Sequence, residues 1–268
     1  MSIRLNFHLA SAFVVALCFM ANTASAQTVL FFDDFDQSTG PTGATVNGLA
    51  PDITTGGAVW NADTTIGTDG GITTANGGAF NDAAYLAFDF VDGTDYLLEA
   101  SVTNNNSPWI SLGFVENPGA TGFDRRFTNS GANGARGVAT ILTRNSGNEQ
   151  ETFAGISTAG GGGEFGNGLY DETEALDVSI LLNLNGDSST ATFTINGDTA
   201  NQVVFTGVPA ADIAGFGFSY EDNNTSGTAF VNSIQLTDLT PTTTVPEPSS
   251  AALLMAGLGM GLFRRKRS

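Results

Sequence analysis

The sequence predicts an all-β protein, built as two antiparallel sheets packed face to face. Three observations carry that prediction. Apolar residues alternate with polar ones at the two-residue period of a half-buried strand, and Gly, Asn and Asp cluster between the alternating runs where turns belong. No stretch beyond about ten residues carries a helical period. The apolar faces, rich in Phe and Ile, need a second layer to cover them, so the strands must form a sandwich and not one open sheet.

Taken in order, the predicted strands are Val29 to Phe35, Ala83 to Phe90, Tyr96 to Thr103, Trp109 to Val115 and Val138 to Thr143. The clearest comes next: Leu176, Val178, Ile180, Leu182 and Leu184 share one face, while Asp177, Ser179 and Asn183 share the other, with Leu181 the one apolar exception. Asn185-Gly186-Asp187-Ser188 turns the chain into Thr190 to Asn196, where Ala191, Phe193 and Ile195 point inward. Asn196-Gly197-Asp198 turns it again, so consecutive hairpins are expected. Gln202 to Phe205, Ile213 to Tyr220 and Ala229 to Leu239 complete the set. Asp171 to Ala175 suits a single helical turn, and the Gly-rich Ser157 to Gly168, lacking the spacing and Lys of a phosphate loop, reads as surface loop.

Both ends read as processing segments. Arg4, the apolar run Leu9 to Met20 and the small residues Ala24-Ser25-Ala26 form a signal peptide over residues 1–26, with cleavage between Ala26 and Gln27. That cleavage removes His8 and Cys18, which are the chain's single His and single Cys. The exported chain then has no His-based acid–base pair, no Cys nucleophile, no Ser-His-Asp triad and no Cys or His ligand for zinc. Between Gln27 and Thr240 stand 26 acidic residues against four arginines and no lysine, a net charge of −22. Such a surface repels nucleic acid and anionic membranes.

At the other end, Thr/Pro-rich residues 241–245 form a linker, and residues 246–268 a terminal unit of three parts. Pro246, Glu247 and Pro248 come first, then 13 apolar and small residues from Ala251 to Phe263, then Arg264, Arg265, Lys266 and Arg267. A bilayer core of about 30 Å calls for about 20 helical residues, so this is a marginal span, suited to transient insertion in the inner membrane with the basic cluster on the cytoplasmic side. The ordered triplet resembles the PEP-CTERM sorting signal. The resemblance implies recognition at Pro246, Glu247 and Pro248 by an exosortase-type processing enzyme, and a mature domain at the cell surface or in the extracellular matrix. Residues 27–240 likewise resemble the concanavalin A-like lectin/glucanase jelly roll, from the opening Phe31-Phe32-Asp33-Asp34-Phe35, the late hairpins and a closing strand, Ala229 to Leu236, expected to pair with the opening one. Sugar-binding modules and glycoside hydrolases share that fold, so the resemblance implies a carbohydrate setting, exopolysaccharide or biofilm, without choosing a role.

Candidate residues follow from that setting. Trp60 and Trp109 are the only tryptophans, and either ring could stack on a sugar or simply pack the sandwich. Arg125 and Arg126 could pair with Asp124 or Glu116, or reach an acidic polysaccharide. Asp89, Asp92 and Asp95 surround a turn at Gly93 and offer oxygen ligands suited to Ca²⁺, as do Asp33, Asp34 and Asp36; both groups read first as solvated turns and second as cation sites. Glucanases of the similar fold carry alternating carboxylates along one strand, and this chain has none; Glu149-Gln-Glu151 and Glu172-Thr-Glu174 come nearest. A binding or structural protein, not an enzyme, is therefore the expectation, with a glycoside hydrolase or lyase as the alternative.

Overall fold

The computed structural model describes residues 27–36, 45–63, 66–73, 80–105, 109–116, 137–145, 150–156, 163–165, 175–222 and 228–240. Within Thr28–Thr240, which form one compact unit, the strands are β1 (Thr28–Asp33), β2 (Asn61–Ala62), β3 (Gly71–Thr73), β4 (Phe80–Ala87), β5 (Asp95–Asn105), β6 (Trp109–Val115) and β7 (Gly137–Asn145). They continue with β8 (Gln150–Ile156), β9 (Gly163–Phe165), β10 (Leu176–Asn183), β11 (Thr190–Ile195), β12 (Val203–Thr206), β13 (Gly215–Asp222) and β14 (Thr228–Asp238). Two antiparallel sheets result. Sheet 1 runs β1-β14-β5-β10-β11-β12, with β3 also on β14, and sheet 2 runs β2-β4-β13-β6-β7-β8-β9.

The alternation in the sequence explains the layering. Leu98, Val102, Val178, Ile180, Leu182, Phe193 and Leu236 of sheet 1 are buried in one cluster with Leu86, Ile110, Leu112, Phe114, Ile141, Phe216 and Phe218 of sheet 2. Each fully buried side chain of this size contributes about 1.5–3 kcal/mol of transfer free energy. Aromatic edges join the layers: Phe31 of β1 meets Phe216 of β13 at 5.4 Å and 61°, and Phe90 meets Phe114 at 5.4 Å and 77°. Tyr220 adds a polar link. Its buried hydroxyl donates to the Gly70 carbonyl and accepts from the Val231 amide at 2.9 Å, beside the irregularity in β14 between Val231 and Ser233. Burial pushes that phenol well above its ordinary range.

The expected pairing of the chain's opening and closing strands is present, with Phe31 opposite Leu236 and Phe32 opposite Gln235. So are both hairpins: β10 pairs β11 from Val178↔Ile195 to Asn183↔Thr190, and β11 pairs β12. Asn196 and Gly197 take φ of 49° and 68°, the left-handed pair a tight hairpin turn requires.

The structure also corrects the reading of the sequence. β1 stops at Asp33 because the Asp33 carboxylate accepts the Phe35 amide at 2.9 Å; this turns the chain at Phe35, φ 53°, and returns its ring to the core. β4 ends at Ala87, and Phe88 and Phe90 leave the ladder to stack edge-on at 4.8 Å and 86°. The stretch around Glu149 to Glu151, read as turn-like, opens β8 at Gln150, and β9 lies inside the Gly-rich stretch read as loop. β9 is only three residues long, and in β8 the polar Thr152 shares the inner face with Ala154 and Ile156 while Phe153 lies on the outer face beside Trp109, so neither strand carries an apolar-in, polar-out alternation. Residues 171–174 of the expected helical turn lie outside the described residues.

Candidate functional site

Strand register aligns side chains from four neighbouring strands into transverse rows on the outer face of sheet 1. In one row Phe32 of β1 stands opposite Gln235 of β14, Gln235 opposite Glu99 of β5, and Glu99 opposite Ser179 of β10. In the next, Ser233 stands opposite Ser101, and Ser101 opposite Asp177. The Asp177 amide donates to Asn196 Oδ1 at 2.9 Å, so the β11–β12 turn closes this row. Together these residues line a groove of about 490 Å³. Its floor holds Ala100 and Val178, whose side chains point into the core, and its flanks carry hydroxyls, amides and two exposed carboxylates, Glu99 and Asp177. Phe32, half-buried, supplies an aromatic ring at one end.

The residues expected to form a site lie elsewhere. Trp60 is 1% exposed, its ring edge-on to Phe218 at 5.6 Å, and its Nε1 donates to Asp33 Oδ2 at 2.6 Å. It is a core residue and has no face to offer a sugar. Trp109, half-buried on the outer face of sheet 2, lies 6.1 Å from the Phe153 ring at 44° and takes no part in the groove. Arg125 and Arg126 lie outside the described residues, as do Glu149, Glu172 and Glu174, Ala24 and Ala26, the linker 241–245, and Pro246, Glu247, Pro248, Arg264, Arg265, Lys266 and Arg267. Gln27 is described and exposed. No helix among the described residues is long and apolar enough to cross a membrane.

The expected Asp89, Asp92 and Asp95 group does not come together as a metal cage. Asp92 Oδ1 accepts the Gly186 amide at 2.8 Å and Asp95 Oδ1 accepts from Asn183 Nδ2, so Asp92 ties the β4–β5 connection, and Asp95 the start of β5, to the β10–β11 hairpin. Asp89 is exposed. Among the described residues it is Asp33, Asp34 and Asp52 whose carboxylate oxygens approach within 4.8 Å of one another, an all-oxygen set chemically suited to a hard cation such as Ca²⁺. Asp52 replaces Asp36 in the trio expected from the sequence because the Asp34 amide donates to Asp52 Oδ2 at 3.2 Å, bringing a residue from 18 positions away. Hydrogen bonds already occupy this trio: Asp33 holds Trp60 and the Phe35 amide, and Asp34 holds the Asp36 amide at 3.1 Å. Burial is the main cause that raises the Asp33 pKa, opposed by the hydrogen bond from Trp60.

The groove escaped the sequence reading because nothing in it is a motif. Asp177 and Ser179 were legible as outward-facing, yet their row partners Glu99, Ser101, Ser233 and Gln235 come from strands distant along the chain, and Glu99 and Gln235, which stand opposite one another, are 136 residues apart. Register alone assembles them.

Comparison with known proteins bears on the two parts of the chain differently. A search of curated proteins gave no match. Among solved structures, an endo-1,3-beta-glucanase from Streptomyces sioyaensis is 14% identical over 81% of this chain and 98% of its own, with a TM-score of 0.49. Peanut lectin is 11% identical over 80% and 97%, TM-score 0.43, and an alginate lyase from Pseudomonas aeruginosa is 14% identical over 67% and 81%, TM-score 0.40. These are distant likenesses between sandwiches, and a shared fold does not by itself carry a role. Residues 244–267 match the PEP-CTERM protein-sorting motif, a span that covers the expected Pro-Glu-Pro, apolar and basic segments and begins two residues earlier, within the expected linker. The chain therefore ends in a PEP-CTERM protein-sorting motif, which marks it for export and processing by an exosortase.

Proposed function

We propose that the exported domain is a carbohydrate-binding protein of the cell surface or extracellular matrix, holding exopolysaccharide along the outer face of sheet 1. The observation that supports this reading is the groove itself: two rows of short hydroxyl, amide and carboxylate side chains beside the Phe32 ring. A sugar presents hydroxyls at its rim and C–H groups on its face, so it calls for polar groups at fixed spacing and an aromatic surface. A sheet supplies that spacing rigidly, because its backbone is held by ladders on both sides. Transient insertion of the tail in the inner membrane and its processing by an exosortase-type enzyme would bring the domain to such a polymer.

Cleavage of the polymer is the second reading, favoured by the presence of two carboxylates, Glu99 and Asp177, in one groove. Both are exposed, whereas acid-assisted cleavage is served by a site that excludes water. Retention of the purified protein on a panel of bacterial exopolysaccharides, with reducing ends assayed in the same samples, separates the two. Binding predicts retention without release, lost in Ser179→Trp, which fills the groove, and weakened in Phe32→Ala. Release that disappears in Glu99→Gln or Asp177→Asn would replace binding with hydrolysis, and retention indifferent to both Ser179→Trp and Phe32→Ala would move the site off this face.

A further inference from the structure

We infer that the groove selects glycans bearing free amino groups over neutral and acidic ones, an inference that rests on the groove being the binding surface. Ser179 lies opposite Glu99 and Asp177 opposite Ser101, so the two carboxylates occupy diagonal positions on adjacent strands, about 7–8 Å apart at the backbone. Both are exposed, and the other nine lining residues are Phe, Ala, Val, Gly, Ser, Asn and Gln, with no cation among them. A neutral sugar would leave two like charges facing one another across its hydroxyls. An acidic sugar would add a third. An ammonium group between Glu99 and Asp177 offsets both and donates charge-assisted hydrogen bonds to each, while Ser101, Ser179, Ser233, Asn196 and Gln235 remain for the ring hydroxyls. The domain's overall acidity attracts any polycation, so the inference concerns these two positions and not the net charge.

The test compares short oligomers of equal length, one of glucosamine, one of N-acetylglucosamine and one of alginate, at a pH where the amines are charged and at physiological salt. The expected result is roughly tenfold tighter binding of the glucosamine oligomer than of its N-acetylated form, with alginate weakest. The double variant Glu99→Gln/Asp177→Asn should lose that preference, whereas Asp187→Asn/Asp212→Asn, which removes the same charge at exposed positions outside the groove, should keep it. Equal loss in both double variants, or a preference for the acetylated or acidic oligomer, would overturn the inference. Ser179→Trp distinguishes the levels of failure. If it abolishes binding of the N-acetylated oligomer while no amine preference exists, the inference fails and the binding groove stands; if it alters no oligomer's binding, both fail. Circular dichroism and thermal melting of each variant confirm that these outward-facing substitutions leave the fold intact.

Discussion

On the outer face of sheet 1, Glu99, Ser101, Ser179 and Gln235 are open or half-buried; on the outer face of sheet 2, Ser111, Gly113, Thr140, Gly217 and Ser219 are buried. The two faces arise from the same two-residue alternation and even share Ser and Thr. They differ in side-chain size and in what lies close. A Cβ added at Gly217 would stand 2.1 Å from the Ala84 carbonyl oxygen, and Tyr85 crosses this face to donate its hydroxyl to the Ala214 carbonyl at 2.6 Å. Burial pushes the Tyr85 pKa up to about 12. Ala83, Tyr85 and Val115 form a second, smaller apolar cluster there. Pointing away from the core is thus a property of the strand, whereas being available to a ligand is a property of the tertiary surroundings.

The contrast is broken most forcefully in the core that both sheets share. Trp60→Ala should cost about 3–5 kcal/mol, read as a lowered urea midpoint, because it removes a buried ring and strips Asp33 of its indole donor. Ser179→Ala on the open face should stay within about 0.5 kcal/mol, and comparable losses in both would contradict the layering. Gly217→Ala should destabilise by about 1–3 kcal/mol in the same assay, since its methyl meets backbone that cannot swing aside, while Ser101→Ala on sheet 1 is again near neutral. A mild Gly217→Ala would mean that the covered face is looser than its geometry implies.

Smaller effects sharpen the picture at the edge of sheet 1. Gly197→Ala should cost about 1 kcal/mol, because the turn holds φ at 68°, and should weaken the β11–β12 hairpin beside the groove; amide exchange across those strands would reveal it. Asp33 supplies a pH signature. Its folded pKa is raised, so the folded state binds the proton more tightly, and the stability it contributes is fully present below the ordinary Asp value of about 3.9 and lost as pH rises through the raised one. Asp33→Asn should therefore flatten stability against pH across that interval. The amide has one acceptor where the carboxylate has two, so absolute stability falls, and the slope is the informative readout. An unchanged slope would remove Asp33 from the account.

Much of the fold was legible because alternation is local. The run from Leu176 to Leu184 fixes its own buried face, Asn196-Gly197 its own turn, and all ten expected strands are present within a few residues of their expected limits. β2, β3 and β9 were not legible because they are two or three residues long, and β8 because Thr152 takes an inward position while Phe153 faces outward, against the usual alternation. Trp60 and the acidic clusters show the converse difficulty. Side-chain chemistry gave each an alternative use, and only position decided it: the indole of Trp60 is buried against Asp33, and Asp92 and Asp95 brace a hairpin.

Read alone, the chain established the acidity of the stretch from Gln27 to Thr240 and its two-layer β class, because each depends on composition or on neighbours a few residues apart. The matched sorting motif at 244–267 belongs with these, since it is recognised as a linear segment. Tertiary structure alone decided which polar residues meet. Glu99, Asp177 and Gln235 share a groove because β5 lies between β10 and β14, and a shift of one residue in either register would turn a whole strand's polar set into the core. Strand pairing over long separations is set by the packing of the buried faces, and the open face inherits its chemistry from that choice.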